Sequence, residues 1–312
     1  MYYEKEKVLL TAIDHGFSSI KLPFMIFDNG VDELSTDATF DRGTLKYNGK
    51  IYKVGEGRNH MKDVKTEDED YFILTLAAIA EDIQRNVPTY DYKQTMDVVI
   101  AAGLPFKRFG AERDSFKKYL ERGKLSFRYE GKPFHINIRK VLLYPQCYAA
   151  VANILSRLEE NVLIVDIGSK TIDIIKCKNH TPVEKDCDTI PEALIKCMAE
   201  MNKQVYSETG YHLREDEMQK IIMGENVLIP DIAMESAKKY LKEFATSVEA
   251  NLKERGHAPQ YNPIIYVGGG AIIMKLYGTA KGSHIRYQED VKANAIGYEF
   301  LAKLRSEAWL NG

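Results

Sequence analysis

Val162-Leu-Ile-Val-Asp-Ile-Gly-Ser-Lys-Thr-Ile-Asp-Ile-Ile175 is the stretch on which the fold of this chain turns. An apolar run leads into Asp166 and Gly168, a tight turn follows, and Thr171 opens a second apolar run. A buried strand that ends in Asp-x-Gly sets a carboxylate and a bare backbone at the rim of a sheet, where phosphate and metal can approach. One such hairpin is common, but here the pattern occurs twice. Val8 to Ile13 is an apolar strand delivering Asp14-His15-Gly16, followed by Phe17-Ser18-Ser19 and a second strand, Ile20-Lys21-Leu22. Asp14 aligns with Asp166, Gly16 with Gly168, Ser19 with Thr171, Ile20 with Ile172 and Leu22 with Ile174. The spacing is constant at 152 residues in a chain of 312. Repetition at half-chain spacing predicts two related domains, each contributing one Asp-x-Gly turn.

Composition fits that division. Hydrophobic residues make up 45% and aromatic residues 10% of the chain, as in globular proteins with sizeable cores. The net charge of −2 and the scattered basic residues predict no direct nucleic-acid binding. Met1-Tyr-Tyr-Glu-Lys-Glu-Lys7 is unlike a signal peptide, and no apolar run approaches the roughly 20 residues that span a bilayer, so the expectation is a soluble cytoplasmic protein with no membrane partner. Cys147, Cys177, Cys187 and Cys197 include no Cys-x-x-Cys pair and read as reduced core thiols. There is no Gly-x-x-x-x-Gly-Lys-Ser/Thr sequence, which excludes a P-loop protein.

Between the two hairpins, Gly43 to Tyr47 and Lys50 to Val54 flank Asn48-Gly49, a strong two-residue turn signal. Lys62 to Asp70 reads as a solvated charged loop. Tyr71 to Arg85 carries an amphipathic helix, Met96 to Pro105 a buried strand, and Phe109 to Arg122 a basic helix read as solvated. Leu125 to Tyr129 and Phe134 to Ile138 form a hairpin around Glu130-Gly131, in which His135 reads as a satisfied strand residue. Val141 to Val151 is expected to cross from strand to helix at Pro145, with the helix running through Leu158. A second helix is expected from Pro191 and Glu192 to about Tyr206, and a long one from Asp231 to Glu254; Ser207 to Asp231 gives no clear pattern. Pro263 to Met274 reads as a strand, three glycines and a helix start. Gly268-Gly269-Gly270 either admits a flat ligand or phosphate close to the backbone or makes a tight turn. Val291 to Leu304 reads as a helix interrupted by Gly297.

These features together resemble the actin/Hsp70/sugar-kinase superfamily. The first hairpin is similar to its phosphate-1 loop, with Asp14, Gly16 and Lys21, and the second to phosphate-2, with Asp166, Gly168, Thr171 and Asp173. Val267-Gly-Gly-Gly-Ala271 resembles the adenosine loop and Val141 to Ala150 the first connecting helix. Within the superfamily the chain looks most like the bacterial actin-like plasmid-segregation ATPases of the ParM/StbA group. That narrower resemblance rests on Ile13 to Leu22, Tyr52-Lys-Val-Gly55, Leu104-Pro105 and Asn294-Ala-Ile-Gly297. Phe17 replaces the usual serine of phosphate-1, Ser169-Lys170 replaces Gly-Thr in phosphate-2, and Gln146 stands where the ParM type has glutamate.

The resemblance implies an α/β, actin-like fold, with two related ribonuclease H-like domains flanking a nucleotide cleft. Domain I would comprise 1–150 and 291–312, with an insert at about 27–93; domain II would comprise 151–290, with an insert at about 187–233. It implies a polymerising protein that hydrolyses ATP (or GTP) slowly and forms cytoskeletal filaments for plasmid or phage DNA partition, through a DNA-binding adaptor of a ParR-like kind. Asp14, Gly16, Phe17, Ser18, Ser19 and Lys21 would bind nucleotide in one domain; Gly168, Ser169, Lys170, Thr171, Gly268, Gly269, Gly270 and Ala271 would do so in the other. Asp14 and Asp166 would hold Mg²⁺ through water, and Asp166, Gln146 and Asp14 would be the catalytic set. The alternatives are a sugar or acid kinase of the same superfamily and a membrane-associated division or pilus actin homologue. The latter needs an amphipathic end, for which Leu301 to Leu310 with Trp309 is the candidate.

Overall fold

The structure is a computed structural model that describes residues 1–36, 39–59, 64–191 and 193–310. It divides into two compact units: Met1–Asn153 with the chain from Asn294 onward, and Ile154–Ala293.

Unit 1 begins with β1 (Tyr2–Tyr3), β2 (Val8–His15), β3 (Ser19–Lys21), β4 (Ile26–Asp28), β5 (Val31–Leu34), β6 (Thr44–Tyr47) and β7 (Lys50–Val54). It continues through α1 (Asp70–Asn86), β8 (Thr95–Leu104), α2 (Phe106–Leu120), β9 (Gly123–Tyr129) and β10 (Lys132–Pro145). The strands form one sheet in the order β4-β3-β2-β8-β10-β9-β6-β7-β5, with β1 beside β2. β2, β8 and β10 run parallel, and β2 is buried along its whole length, as a strand covered on both faces must be. β10 is long enough to pair β9 with its first half and β8 over most of its length, and its register shifts between Ile138 and Lys140. That irregularity explains why Arg139-Lys140 breaks the apolar alternation of what is one strand. Asn48 and Gly49 have φ of 50° and 77°, the two positive values a tight hairpin turn requires.

Unit 2 contains β11 (Val162–Ile167), β12 (Ile172–Lys178), β13 (Thr181–Pro182), β14 (Asp188–Ile190), α3 (Leu194–Thr209), α4 (Glu215–Ile222), α5 (Asp231–Glu254), β15 (Ile264–Val267), α6 (Ala271–Tyr277) and β16 (Ile285–Gln288). Its sheet order is β13-β12-β11-β15-β16, with β14 also on β12. This repeats the β4-β3-β2-β8-β10 portion of unit 1. In each, a central strand pairs antiparallel with its hairpin partner and parallel with the strand on its other side. α3 and α5 pack their apolar stripes, including Met201, Val205, Ala237, Leu241 and Val248, into the core of this unit.

The chain then closes with α7 (Ala293–Leu304) and α8 (Ser306–Leu310). Tyr298, Ala302 and Trp309 pack with Val8, Leu10, Ala12, Val99 and Ala101 of unit 1. The Trp309 indole donates to the Ala302 carbonyl at 2.8 Å and meets the Tyr3 ring edge-on at 5.4 Å. It is a core residue, so the segment proposed as an amphipathic membrane end has its aromatic side chain inside the protein. Among the described residues no helix is long and apolar enough to cross a membrane. All four cysteines are buried and none is in a disulfide.

Three expectations are corrected. The segment from Gln146 to Leu158 is not an α-helix but turns with two short 3-10 pieces, Ala149–Val151 and Leu155–Arg157. Cys147 has φ of 67°, a left-handed conformation that no right-handed helix can contain. α3 starts at Leu194 rather than after Pro191, and Glu192 lies outside the described residues. α7 passes through Gly297 without interruption.

Candidate functional site

In unit 1, Asp14 is paired across the hairpin with Lys21, and the Gly16 N–H closes the turn on the Ser19 carbonyl at 3.1 Å. Asp14 is only 4% exposed. Its Oδ1 accepts from Gln146 Nε2 at 2.8 Å, and Lys21 Nζ lies 3.5 Å from Oδ2. Gly16 is required at this point because a Cβ would lie 2.7 Å from both Lys21 Nζ and the Ser19 carbonyl oxygen. Gln146 is held from both sides in sequence. Its own N–H donates to the Leu104 carbonyl, and the N–H of Cys147 donates to Asn294 Oδ1 at 3.0 Å. One turn along α7, Gly297 lies so close to the Ala149 carbonyl that a Cβ would be 1.8 Å from its oxygen. The closing Asn294-Ala-Ile-Gly297 therefore fixes the turn that aims Gln146 at Asp14.

Asn29, buried behind the same hairpin, donates from Nδ2 to the Phe17 carbonyl at 2.9 Å and from its N–H to the Ser18 carbonyl at 3.4 Å. In a planar trans peptide C=O and N–H point in opposite directions, so the N–H groups of Ser18 and Ser19 turn away from Asn29. Nothing in the polar stretch around Asn29 marked it out beforehand.

Unit 2 repeats the geometry. Asp166 faces Asp173 across β11 and β12, in the register that Asp14 and Lys21 occupy, and the Gly168 N–H donates to the Thr171 carbonyl at 3.0 Å. The carbonyls of Gly168 and Ser169 accept from the N–H groups of Leu194 and Ile195 at the start of α3, at 3.2 and 2.9 Å. By the same peptide geometry, the N–H groups of Ser169 and Lys170 point away from α3. Asp173, where unit 1 has Lys21, is tied down by the hydroxyls of Thr171 and Thr189 at 3.1 and 2.6 Å.

Two of the three glycines have a reason inside the chain itself. Gly268 has φ of 79°, and a Cβ there would be 2.3 Å from Asp166 Oδ1; at Gly270 it would be 2.2 Å from Ile167 Cγ2. These two glycines let the β15–α6 turn lie directly on Asp166-Ile167. Added at Gly269, a Cβ would meet only Leu194 Cδ1 at 3.1 Å. The groups that approach Gly268 and Gly270 closely are the protein's own Asp166 and Ile167.

Two further polar groups lie in unit 1 near the first hairpin. His15 is fully buried, with Nε2 2.8 Å from Thr75 Oγ1. Because the Thr75 hydroxyl donates to the Tyr71 carbonyl, the imidazole must donate from Nε2, leaving Nδ1 as a bare acceptor. Burial, and then the positive charge of Lys65, hold its pKa well below the usual histidine range. Lys65 is itself 5% exposed. In the charged loop expected over Lys62 to Asp70, of which Lys62 and Asp63 lie outside the described residues, Glu67, Asp68 and Glu69 are exposed and Lys65 is the exception. A lysine within a charged run carries no sequence signal of burial. Among the described residues no cluster of three or more His, Cys, Asp or Glu side chains could hold a metal ion.

Comparison with known proteins agrees with this fold. The family model for the N-terminal domain of actin-like proteins matches residues 12–148, and that for the C-terminal domain of the archaeal actin homologue MreB-like proteins matches residues 164–277. Among solved structures the chain is similar to an archaeal actin homolog, Ta0583, at 20% identity and a TM-score of 0.74, covering 95% of this chain and 99% of that one. The ADP complex of that homolog superposes with a TM-score of 0.71 at 18% identity, covering 95% of this chain and 99% of that one. The psk41 ParM protein is 17% identical with a TM-score of 0.73, covering 98% of this chain and 100% of that one. A 15-stranded ParM filament from Clostridium botulinum is 21% identical with a TM-score of 0.67, covering 95% of this chain and 99% of that one. No curated protein matches in sequence. The chain has the actin-like α/β fold, built on two mixed β-sheets.

Proposed function

We propose that this protein is a polymerising actin-like NTPase of the ParM kind, which hydrolyses ATP or GTP slowly and forms filaments that move plasmid or phage DNA through a DNA-binding adaptor. The observation that carries the proposal is the duplicated hairpin: one register and one turn hydrogen bond recur at the same position of two sheets with the same strand order. Each hairpin turns its carbonyls onto a fixed donor, Asn29 or the start of α3, and directs peptide N–H groups the other way. Rows of N–H groups of this sort bind phosphate oxygens. The archaeal homolog solved with ADP and the ParM protein solved as a filament support nucleotide binding and self-association in turn.

In this reading the N–H groups of Gly16 to Ser19 and of Gly168 to Thr171 bind the phosphate chain, with Lys21 as a point charge. Gly268 to Ala271 supply the backbone against which the adenosine lies. Asp14 and Asp166 each offer a single carboxylate, a donor set suited to Mg²⁺ that keeps its waters and takes its remaining ligands from phosphate. When bound, Mg²⁺ would neutralise charge on the phosphate oxygens. Gln146 orients the attacking water. With Nε2 bound to Asp14 its amide plane is fixed, and Oε1 is the acceptor it presents. An amide cannot take a proton, so Asp166 receives it late, as the water oxygen bonds to the terminal phosphorus and the bond to the diphosphate breaks. Positioning without a strong base gives slow turnover, which suits a filament whose age is read from its nucleotide.

Light scattering with ATP and with GTP, followed by negative-stain microscopy, tests the proposal. Nucleotide-dependent filaments are expected, and Asp166→Ala should abolish phosphate release. Absence of filaments with either nucleotide, or unchanged phosphate release in Asp166→Ala, would overturn it. ADP formation that depends on an added sugar or carboxylic acid would instead select a small-molecule kinase.

A further inference from the structure

Lys65 is a buried cation with no ion-pair partner among the described residues. Its Nζ has no hydrogen-bond partner among the described residues. It lies 6.0 Å from the centre of the Tyr71 ring and 5.7 Å from that of Phe116, contacts that recover only part of the hydration it has lost. The carboxylates whose charge reaches it are Asp14 and Glu112, and the cations are Lys21 and Arg108. Both carboxylates are already engaged by nearer groups: Asp14 by Lys21 and Gln146, and Glu112 by Arg108. A buried ammonium left over from such a network is destabilising unless something negative enters beside it. The groups that act on it belong to the phosphate-1 hairpin and to the first turns of α2, whose first turn contains no acidic residue and carries Lys107 and Arg108.

We propose that Lys65 is a phosphate ligand of the nucleotide-binding site, a second lysine beside Lys21 that donates to a phosphate oxygen of the bound nucleotide. The proposal rests on the nucleotide-binding function argued above. It explains why a lysine lies under two aromatic rings with no ion pair among the described residues: the anion it serves arrives with the ligand. Burial pushes its pKa down to about 8, so at neutral pH it remains mostly protonated and able to act as a cation.

The alternative is that Lys65 is a structural anchor, holding the segment before α1 against Tyr71 and Phe116. The two roles predict opposite effects on the nucleotide-free protein. In the full chain, Lys65→Met replaces an unpaired buried charge by an apolar side chain of similar length. If Lys65 is a phosphate ligand, the nucleotide-free variant melts at or above the wild-type temperature, while its affinity for MgATP, measured by calorimetric titration, falls at least about tenfold. Lys65→Arg, which keeps the charge, retains more of that affinity than Lys65→Met. Affinity within about twofold of wild type in Lys65→Met would overturn the proposal, as would a lowered melting temperature of the nucleotide-free variant. If wild-type protein binds neither MgATP nor MgGTP, the nucleotide-binding function falls first and takes this assignment with it. Binding by wild type with no loss in Lys65→Met removes the Lys65 assignment alone.

Discussion

Two glycines inside helices separate backbone propensity from packing. Gly110 lies in α2 and Gly297 in α7, and on propensity alone alanine at either position gains about 0.5–1 kcal/mol. At Gly110 an added Cβ meets nothing within 4 Å, so the gain should be realised in full. At Gly297 the Cβ would fall 1.8 Å from the Ala149 oxygen and 2.4 Å from its carbonyl carbon. Carbon and oxygen in contact stay about 3.3 Å apart or more, so α7 or the Ala149 turn must move by over about 1 Å. The obstacle is backbone and cannot rotate away. Overpacking of this kind costs about 1–3 kcal/mol, and with backbone on both sides the upper end applies, leaving a net loss of about 2 kcal/mol after the propensity gain. For a unit of this size that corresponds to a fall in melting temperature of about 4–8 °C, against a rise of about 1–4 °C for Gly110→Ala. Trp309 is the single tryptophan and is buried in unit 1, so its fluorescence reports the unfolding of the unit that holds both glycines. Gly297→Ala should also slow phosphate release, because α7 sets Gln146 through Asn294 and Cys147. The reasoning is refuted if Gly297→Ala melts at or above the wild-type temperature, or if Gly110→Ala melts below it.

Two further outcomes follow from the first hairpin and its neighbour. Gln146→Leu removes the amide that bonds Asp14, and that orients water in the proposed mechanism, but leaves the backbone N–H groups in place. Single-turnover phosphate release should fall about 10–100-fold while nucleotide affinity changes less than about threefold; a parallel loss of both would place Gln146 in binding rather than in positioning water. Lys65 gives a pH signature. Its folded pKa of about 8 lies below the ordinary lysine value of 10.5, so between these values the unfolded chain holds a proton that the folded chain has released. Stability of the nucleotide-free wild type, relative to Lys65→Met, should therefore rise with pH across that window and be flat below it. Unfolding midpoints of the two proteins between pH 7 and 10.5 measure this, and parallel curves throughout would show that Lys65 does not titrate as a buried group.

Much of the fold was legible because the signals are local. A strand that ends in Asp-x-Gly, and the Asn48-Gly49 turn, declare themselves within a few residues, and two copies of the first at half-chain spacing suggested the repeat that the two sheets display. α5 was readable to its ends because twenty-four residues of helical periodicity outweigh any one position. The segment after Pro145 was misread for the complementary reason. Its composition suits a helix, and what prevents one is Cys147 in a left-handed conformation, bonded to Asn294 from the other end of the chain. Gly297 reads as a helix break in the sequence because glycine is a poor helix former; in the folded protein it is the residue that lets α7 lie against Ala149.

The candidate site divides in the same way. By itself the sequence determined which side chains stand at the strand ends: Asp14, Lys21 and Asp166 follow from strand alternation and the position of the glycines, which depend on neighbours in the chain. Only the tertiary structure decided what surrounds them. It set Gln146 on Asp14 across a separation of 132 residues, gave Gly268 and Gly270 to the packing of Asp166-Ile167, and buried Lys65 beneath Tyr71 and Phe116. The physical reason is that alternation and turn chemistry act over a few residues, whereas burial and the partners of a charge depend on which distant elements close over it.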